Sequence, residues 1–86
     1  MNKNTPITNI EIDIDYELFK TEEIIQIYHF FQLILKNEQK SYPINELKKA
    51  YRQYRSILRN VALEKKYDAL FFKATGLSIY HIMKDL

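Results

Sequence analysis

The apolar positions of this 86-residue chain change their period near residue 20. Before that point Ile10, Ile12, Ile14, Tyr16 and Leu18 alternate with Glu11, Asp13, Asp15 and Glu17. A period of two marks extended backbone with one apolar and one acidic face. No second segment of this kind follows to pair with it. The pattern therefore predicts an extended acidic arm over residues 1–20, whose isoleucines lie against helices of the same chain or whose edge pairs with its own copy in a homodimer.

From Thr21 the period becomes helical. Thr21 is the expected N-cap, Glu22 and Glu23 stand at the positive end of the helix dipole, and Phe19 is placed to pack back on the first turn. Ile24, Ile27, Tyr28, Phe31, Ile34 and Leu35 form one apolar face, with Gln26, His29 and Lys36 outside it. The spacing predicts a first helix over about 21–37, ended by the polar stretch "NEQKS". Pro43 suits the opening turn of a second helix over about 43–58, in which Ile44, Leu47, Ala50, Tyr51, Tyr54, Ile57 and Leu58 follow helical spacing. Lys48, Lys49, Arg52 and Arg55 take its other side.

Asn60 is an expected cap for a third helix over about 61–75, with Leu63, Tyr67, Leu70, Phe71 and Ala74 as its buried stripe. The single glycine, Gly76, falls where a helix C-cap needs positive φ, and Leu77 supplies the apolar contact typical of that cap. Ser78 then caps a short fourth helix over about 79–85, bearing Ile79, Tyr80, Ile82, Met83 and Leu86. The expected fold is all-α: a single helical domain over residues 21–86, a compact array of about four helices, carrying the N-terminal arm. Ile24, Tyr28, Phe31, Leu47, Tyr51, Tyr54, Tyr67, Leu70 and Phe71 are its predicted core.

Charge refines this picture. The net charge is +2, but residues 1–25 carry two lysines against six acids, −4, whereas residues 36–66 carry nine lysines and arginines against three glutamates, +6. Local charge of this kind selects partners more than the total does. The chain contains no cysteine, which excludes disulfides and thiolate metal sites and suits a reducing cytosol. The start, "MNKNTPITN", lacks the apolar core of a signal peptide, and no run approaches a spanning length, so a soluble cytoplasmic protein is expected, with no membrane partner.

Catalytic chemistry finds little support. One glycine cannot build a phosphate loop. The two histidines, His29 and His81, and the three serines, Ser41, Ser56 and Ser78, fall in solvated, loop, helix or cap positions, so no catalytic residue is assigned. Asp13 and Asp15 alternate without a histidine or a calcium-loop glycine, and His29 has no second ligand at helical spacing, so neither a metal nor a cofactor is expected.

"FFKATGLSIYHIMKDL" is the closest approach to a nucleic-acid motif. Its Gly76, Leu77, Ser78 and Ile82 fit a helix-turn-helix over residues 70–86, with the basic second helix as a phosphate contact. Against this, Phe72 stands where close helix crossing wants a small side chain, and the last helix offers Ile79, Tyr80, His81 and Lys84 but no Arg, Asn or Gln for base edges. A protein partner, or a second copy, is the preferred expectation. Lys48, Lys49, Arg52 and Arg55, with Tyr80 and His81 beside the bend, are the candidate contact residues.

The succession "TEEIIQIYHFF", "ELKKAYRQYRSIL" and "ALEKKYDALFFKATGLSIYHIMK" resembles the small bacterial proteins grouped as uncharacterised protein family 0223. Thr21, Glu22 and Glu23 match the family's first helix start, and Ala50, Tyr51 and Arg52 its second motif. Glu64 and Lys65 match the charged pair of the third helix, and Thr75, Gly76, Leu77, Ser78 and Tyr80 the final junction. The chain departs from the family at Arg59, where a proline is usual, at Phe19, where a tryptophan is usual, and in its "IDIDYEL" head. The resemblance implies an all-helical bacterial cytosolic domain and supplies no activity.

Overall fold

The structure, a computed structural model, describes residues 12–86. Four helices follow one another: α1 (Thr21–Gln39), α2 (Ile44–Leu58), α3 (Val61–Thr75) and α4 (Ile79–Lys84). Helix α2 is central, packing against α1, α3 and α4.

Each boundary has a local chemical cause. Lys20, rather than the expected Thr21, is the N-cap of α1, because Glu23 at the third helical position reaches back and accepts the Lys20 N–H at 2.8 Å. The helix also runs past the expected end near Asn37 to Gln39. Asn37 does not break it; its side-chain oxygen instead accepts the Tyr42 N–H at 2.9 Å and folds the loop back. Pro43 occupies the N-cap of α2 instead of its first turn, and α2 begins at Ile44.

The third and fourth helices start as expected. Asn60 accepts the Leu63 N–H at 2.8 Å, and Ser78 accepts the His81 N–H at 3.3 Å. Gly76 ends α3 at φ 79°, its N–H donating to the Phe72 carbonyl at 2.7 Å. Thr75 tightens the bend: its hydroxyl donates to the Phe71 carbonyl at 2.8 Å and accepts the Leu77 N–H at 3.1 Å. Helix α4 ends at Lys84, one residue before the expected limit.

Arg59 ends α2 in the same left-handed region, at φ 77°. A residue with a Cβ enters this region at a steric cost of about 1–2 kcal/mol. Here the conformation is held from outside, since the guanidinium donates to the Leu18 carbonyl at 2.9 Å, lies 3.6 Å from the Glu23 carboxylate and sits 5.6 Å over the Phe19 ring.

The core is rich in rings. Ile27, Phe30, Phe31, Ile34 and Leu35 of α1, Leu47, Tyr54 and Leu58 of α2, Tyr67 and Phe71 of α3, and Ile79 and Met83 of α4 are buried. Five residues of the predicted core are therefore fully inside, while Ile24, Tyr28, Tyr51 and Leu70 pack against it half-buried. Phe30 was not on the predicted stripe. The true inward face of α1 is turned toward it, because the Phe30 ring stacks on Tyr54 at 4.4 Å and 24°. Ala74 and Ile44, expected inside, are exposed, since each lies at the edge of its stripe where no neighbouring helix covers it.

The head keeps its alternation for only part of its length. Ile12 and Ile14 are buried and Asp13 and Asp15 exposed, but Tyr16 and Leu18 are exposed as well. The cause is Asp15, whose carboxylate accepts the Glu17 N–H at 2.8 Å while its carbonyl accepts the Leu18 N–H at 3.2 Å, turning the chain. The segment docks on its own helices: the Tyr28 hydroxyl donates to the Ile12 carbonyl, and the Asp15 N–H donates to the Tyr67 hydroxyl at 3.2 Å. Phe19 is buried with its ring 5.9 Å from Tyr67, edge to face. The expected alternation at Ile10 and Glu11, and the rest of the arm before Ile12, lie outside the described residues.

Candidate interaction groove

Helices α2 and α4 enclose a cleft of about 400 Å³ lined by Lys48, Tyr51, Arg52, Arg55, Tyr80, Met83 and Lys84. Four of the six contact residues suggested by sequence, Lys48, Arg52, Arg55 and Tyr80, come together here. Lys49 and His81 are exposed but do not line the cleft. His81 is engaged with the α4 cap, its Nδ1 lying 2.9 Å from the Ser78 hydroxyl and its ring edge-to-face with Tyr80 at 5.5 Å.

The groove has an aromatic floor and a cationic rim. Tyr51 is the outer end of a row of rings that begins in the core: Phe71 to Phe31 at 4.9 Å, Phe31 to Tyr54 at 5.6 Å, Tyr54 to Phe30 at 4.4 Å, and Phe30 to Tyr51 at 6.0 Å. Each floor tyrosine carries a cation one helical turn onward, Arg55 at 5.5 Å over Tyr51 and Lys84 at 5.9 Å over Tyr80. Arg55 is further fixed by Glu64 of α3, with Nε to Oε1 at 3.1 Å. The lining contains no carboxylate, so the rim of the groove is positively charged beside apolar surface.

Protonation reinforces this character. Burial raises the Tyr51 phenol above its ordinary value; Arg55 opposes the shift, and Asp68, Glu64 and Tyr80 add to it. Tyr51 therefore stays neutral and able to donate at physiological pH. Behind it, Tyr54 donates to Asp68 Oδ1 at 3.0 Å. Burial raises both groups, and for Asp68 the Tyr54 hydrogen bond opposes that rise.

Tyr51, Met83 and Lys84 escaped the sequence reading of the site. Tyr51 and Met83 read as core residues on their own helices, and only the approach of α4 to α2 shows that they share a cleft. A signal was present in the aromatic-to-cation spacing of four, Tyr51 to Arg55 and Tyr80 to Lys84, which places ring and cation on one helix face. The side chain of Phe72, which argued against a close helix crossing, is exposed. Among the described residues no group of three His, Asp or Glu side chains gathers to hold a metal ion, and no helix is long and apolar enough to cross a membrane.

Four helices about a ring-filled core, with a basic aromatic groove outside, define a small all-helical domain. Its sequence places it further: residues 9–86 match the model of an uncharacterised protein family, UPF0223, and the chain belongs to that family. A UPF0223 protein of Oceanobacillus iheyensis is 38% identical over 68 residues, covering 79% of this chain and 77% of its own. A second, of Bacillus pumilus, is 36% identical over 73 residues, covering 85% and 79%. A third, of Streptococcus equi subsp. zooepidemicus, is 33% identical over 66 residues, covering 77% and 72%. No solved structure matches the chain.

Proposed function

We propose that this chain is a non-enzymatic, cytosolic interaction module that holds a protein partner in the α2/α4 groove. The observation that carries this reading is the convergence of four cations, Lys48, Arg52, Arg55 and Lys84, on a floor of Tyr51, Tyr80 and Met83. Such a floor supplies desolvated contact area, and Met adapts its shape to what it meets. The cations steer acidic segments toward it and fix their orientation.

A protein partner suits the groove better than nucleic acid. Helix α4 has six residues, and its exposed side chains are Tyr80, His81 and Lys84, none of them the Arg, Asn or Gln that read base edges. The groove also lacks the histidine, serine or carboxylate that acid–base or nucleophilic chemistry would employ.

The test compares proteins recovered from a cell lysate by the wild type and by the double variant K48E/R52E. These two cations are chosen because reversing Arg55 would also set it against Glu64. Loss of the recovered partners in the variant is expected, and an identical set of partners would remove the groove as the contact surface. Titration with duplex and single-stranded DNA at low and moderate salt supplies the second arm: tight binding with a steep salt dependence would replace the protein-partner reading with a nucleic-acid one.

A further inference from the structure

The molecule displays, on another surface, an exposed ring beside charge opposite in sign to that of the groove. The turn at Asp15–Leu18 projects Tyr16, which is 85% exposed, the most of any large hydrophobic side chain among the described residues. Asp13 and Glu17 flank it, both exposed, and the ion pairs among the described residues, Arg55 with Glu64 and Arg59 with Glu23, leave both out. An aromatic ring between carboxylates is the complement of a floor of rings and thioether between cations.

The turn is also held ready. Ile12, Ile14 and Phe19 are buried on either side of it, the Asp15 N–H is bound by Tyr67, and the Leu18 carbonyl is bound by Arg59. A ring presented on a fixed turn gives up little further conformational freedom when it binds. The same anchors tie the turn to α1, α3 and the end of α2, so it cannot enter the groove of its own chain. A net charge of only +2 leaves little general repulsion between two copies.

We propose that the α2/α4 groove receives the Asp13–Glu17 turn of a second copy of this chain. Tyr16 of that copy lies against Tyr51, Tyr80 and Met83, and its Asp13 and Glu17 face Lys48, Arg52 and Lys84. This inference rests on the groove reading above and supplies its occupant. The contact joins unlike patches, which two copies satisfy either reciprocally about a two-fold axis or head to tail, and the mass reached at saturation distinguishes a closed dimer from a growing chain.

Light scattering over a dilution series of the full chain, at low and moderate salt, tests it. The wild type should gain mass with concentration, less so at higher salt. Y16A should weaken the association about tenfold or more, since a central aromatic anchor carries a large share of such a contact. Its helical circular dichroism should be unchanged, because Tyr16 is not part of the core. D13K/E17K and K48E/R52E should each be monomeric alone, and mixing them should restore association, because the unaltered turn of K48E/R52E then meets the unaltered groove of D13K/E17K and the reversed turn meets the reversed groove.

A wild type that stays monomeric to about 1 mM, a range that includes weak contacts, would overturn the proposal. So would an oligomer indifferent to Y16A, or a mixture that fails to associate. If partner recovery from lysate nonetheless depends on Lys48 and Arg52, the groove stands and only its occupant changes. If neither assay responds to the groove, both readings fail together.

Discussion

Helix α2 carries two tyrosines one turn apart that lead opposite lives. Tyr54 is 2% exposed, stacked on Phe30, edge-on to Phe31 and hydrogen-bonded to Asp68. Tyr51 lies nearly parallel to it at 6.4 Å, yet its outer side opens on the groove beneath Arg55. The inner ring is packed against α1 and α3, while the outer one opens on the cleft between α2 and α4. One aromatic stripe thus fills the core at one end and lines the groove at the other.

The largest expected effect separates the two. Y54A should destabilise the fold by about 3–5 kcal/mol, the usual result of deleting a buried ring, whereas Y51A should lose only about 1 kcal/mol. Urea unfolding followed by circular dichroism measures both. Equal losses would show that Tyr51 belongs to the core after all.

A smaller effect is expected at the two left-handed caps, which set where α4 stands as the groove's wall. Gly76 has no atom within 4 Å of where a Cβ would stand, so G76A meets only backbone strain and should lose about 1 kcal/mol. R59G relieves strain of similar size but gives up the contacts to Leu18, Glu23 and Phe19. Its net change should be near zero in urea, with weaker protection of the Asp15–Phe19 segment in hydrogen exchange. A large gain in stability for R59G would show those contacts to be weak.

The smallest effect concerns pH. Burial raises Asp68 above the ordinary aspartate value, with the Tyr54 hydrogen bond opposing. A raised folded-state pKa means that stability contributed by the neutral form is present at low pH and is lost as pH rises through the folded value. Asn keeps an acceptor for Tyr54 and cannot ionise. Relative to D68N, the wild type should therefore gain stability as pH falls from neutrality to about 4, the ordinary aspartate range. Thermal unfolding across that interval reads the difference, and a wild type that loses ground on acidification would reverse the assignment.

Much of the fold was legible because its signals are local. The period of 3.6 located all four helices, and Asn60, Gly76 and Ser78 marked their caps through side-chain and backbone chemistry confined to a few residues. The errors arose where one side-chain contact, near or far along the chain, overrode the period. Glu23 moved the first cap to Lys20, Tyr54 drew Phe30 inward, and the Asp15 turn exposed Tyr16 at the point where alternation predicted burial. The groove is the extreme case: its two sides lie on helices nearly thirty residues apart, and each side alone reads as an ordinary amphipathic stripe. Lys48, Arg52 and Arg55 of the rim and Tyr80 of the floor stood out by pattern, whereas Tyr51, Met83 and Lys84 did not.

The central claim is that the α2/α4 groove is where this protein makes contact. Amide NMR spectra of the full chain, recorded across a dilution series, test it residue by residue. Shifts that grow with concentration should cluster at Lys48–Arg55, at Tyr80–Lys84 and at Asp13–Glu17, and should vanish in K48E/R52E. Shifts confined to the outer face of α1, or spectra unchanged at every concentration, would contradict the account.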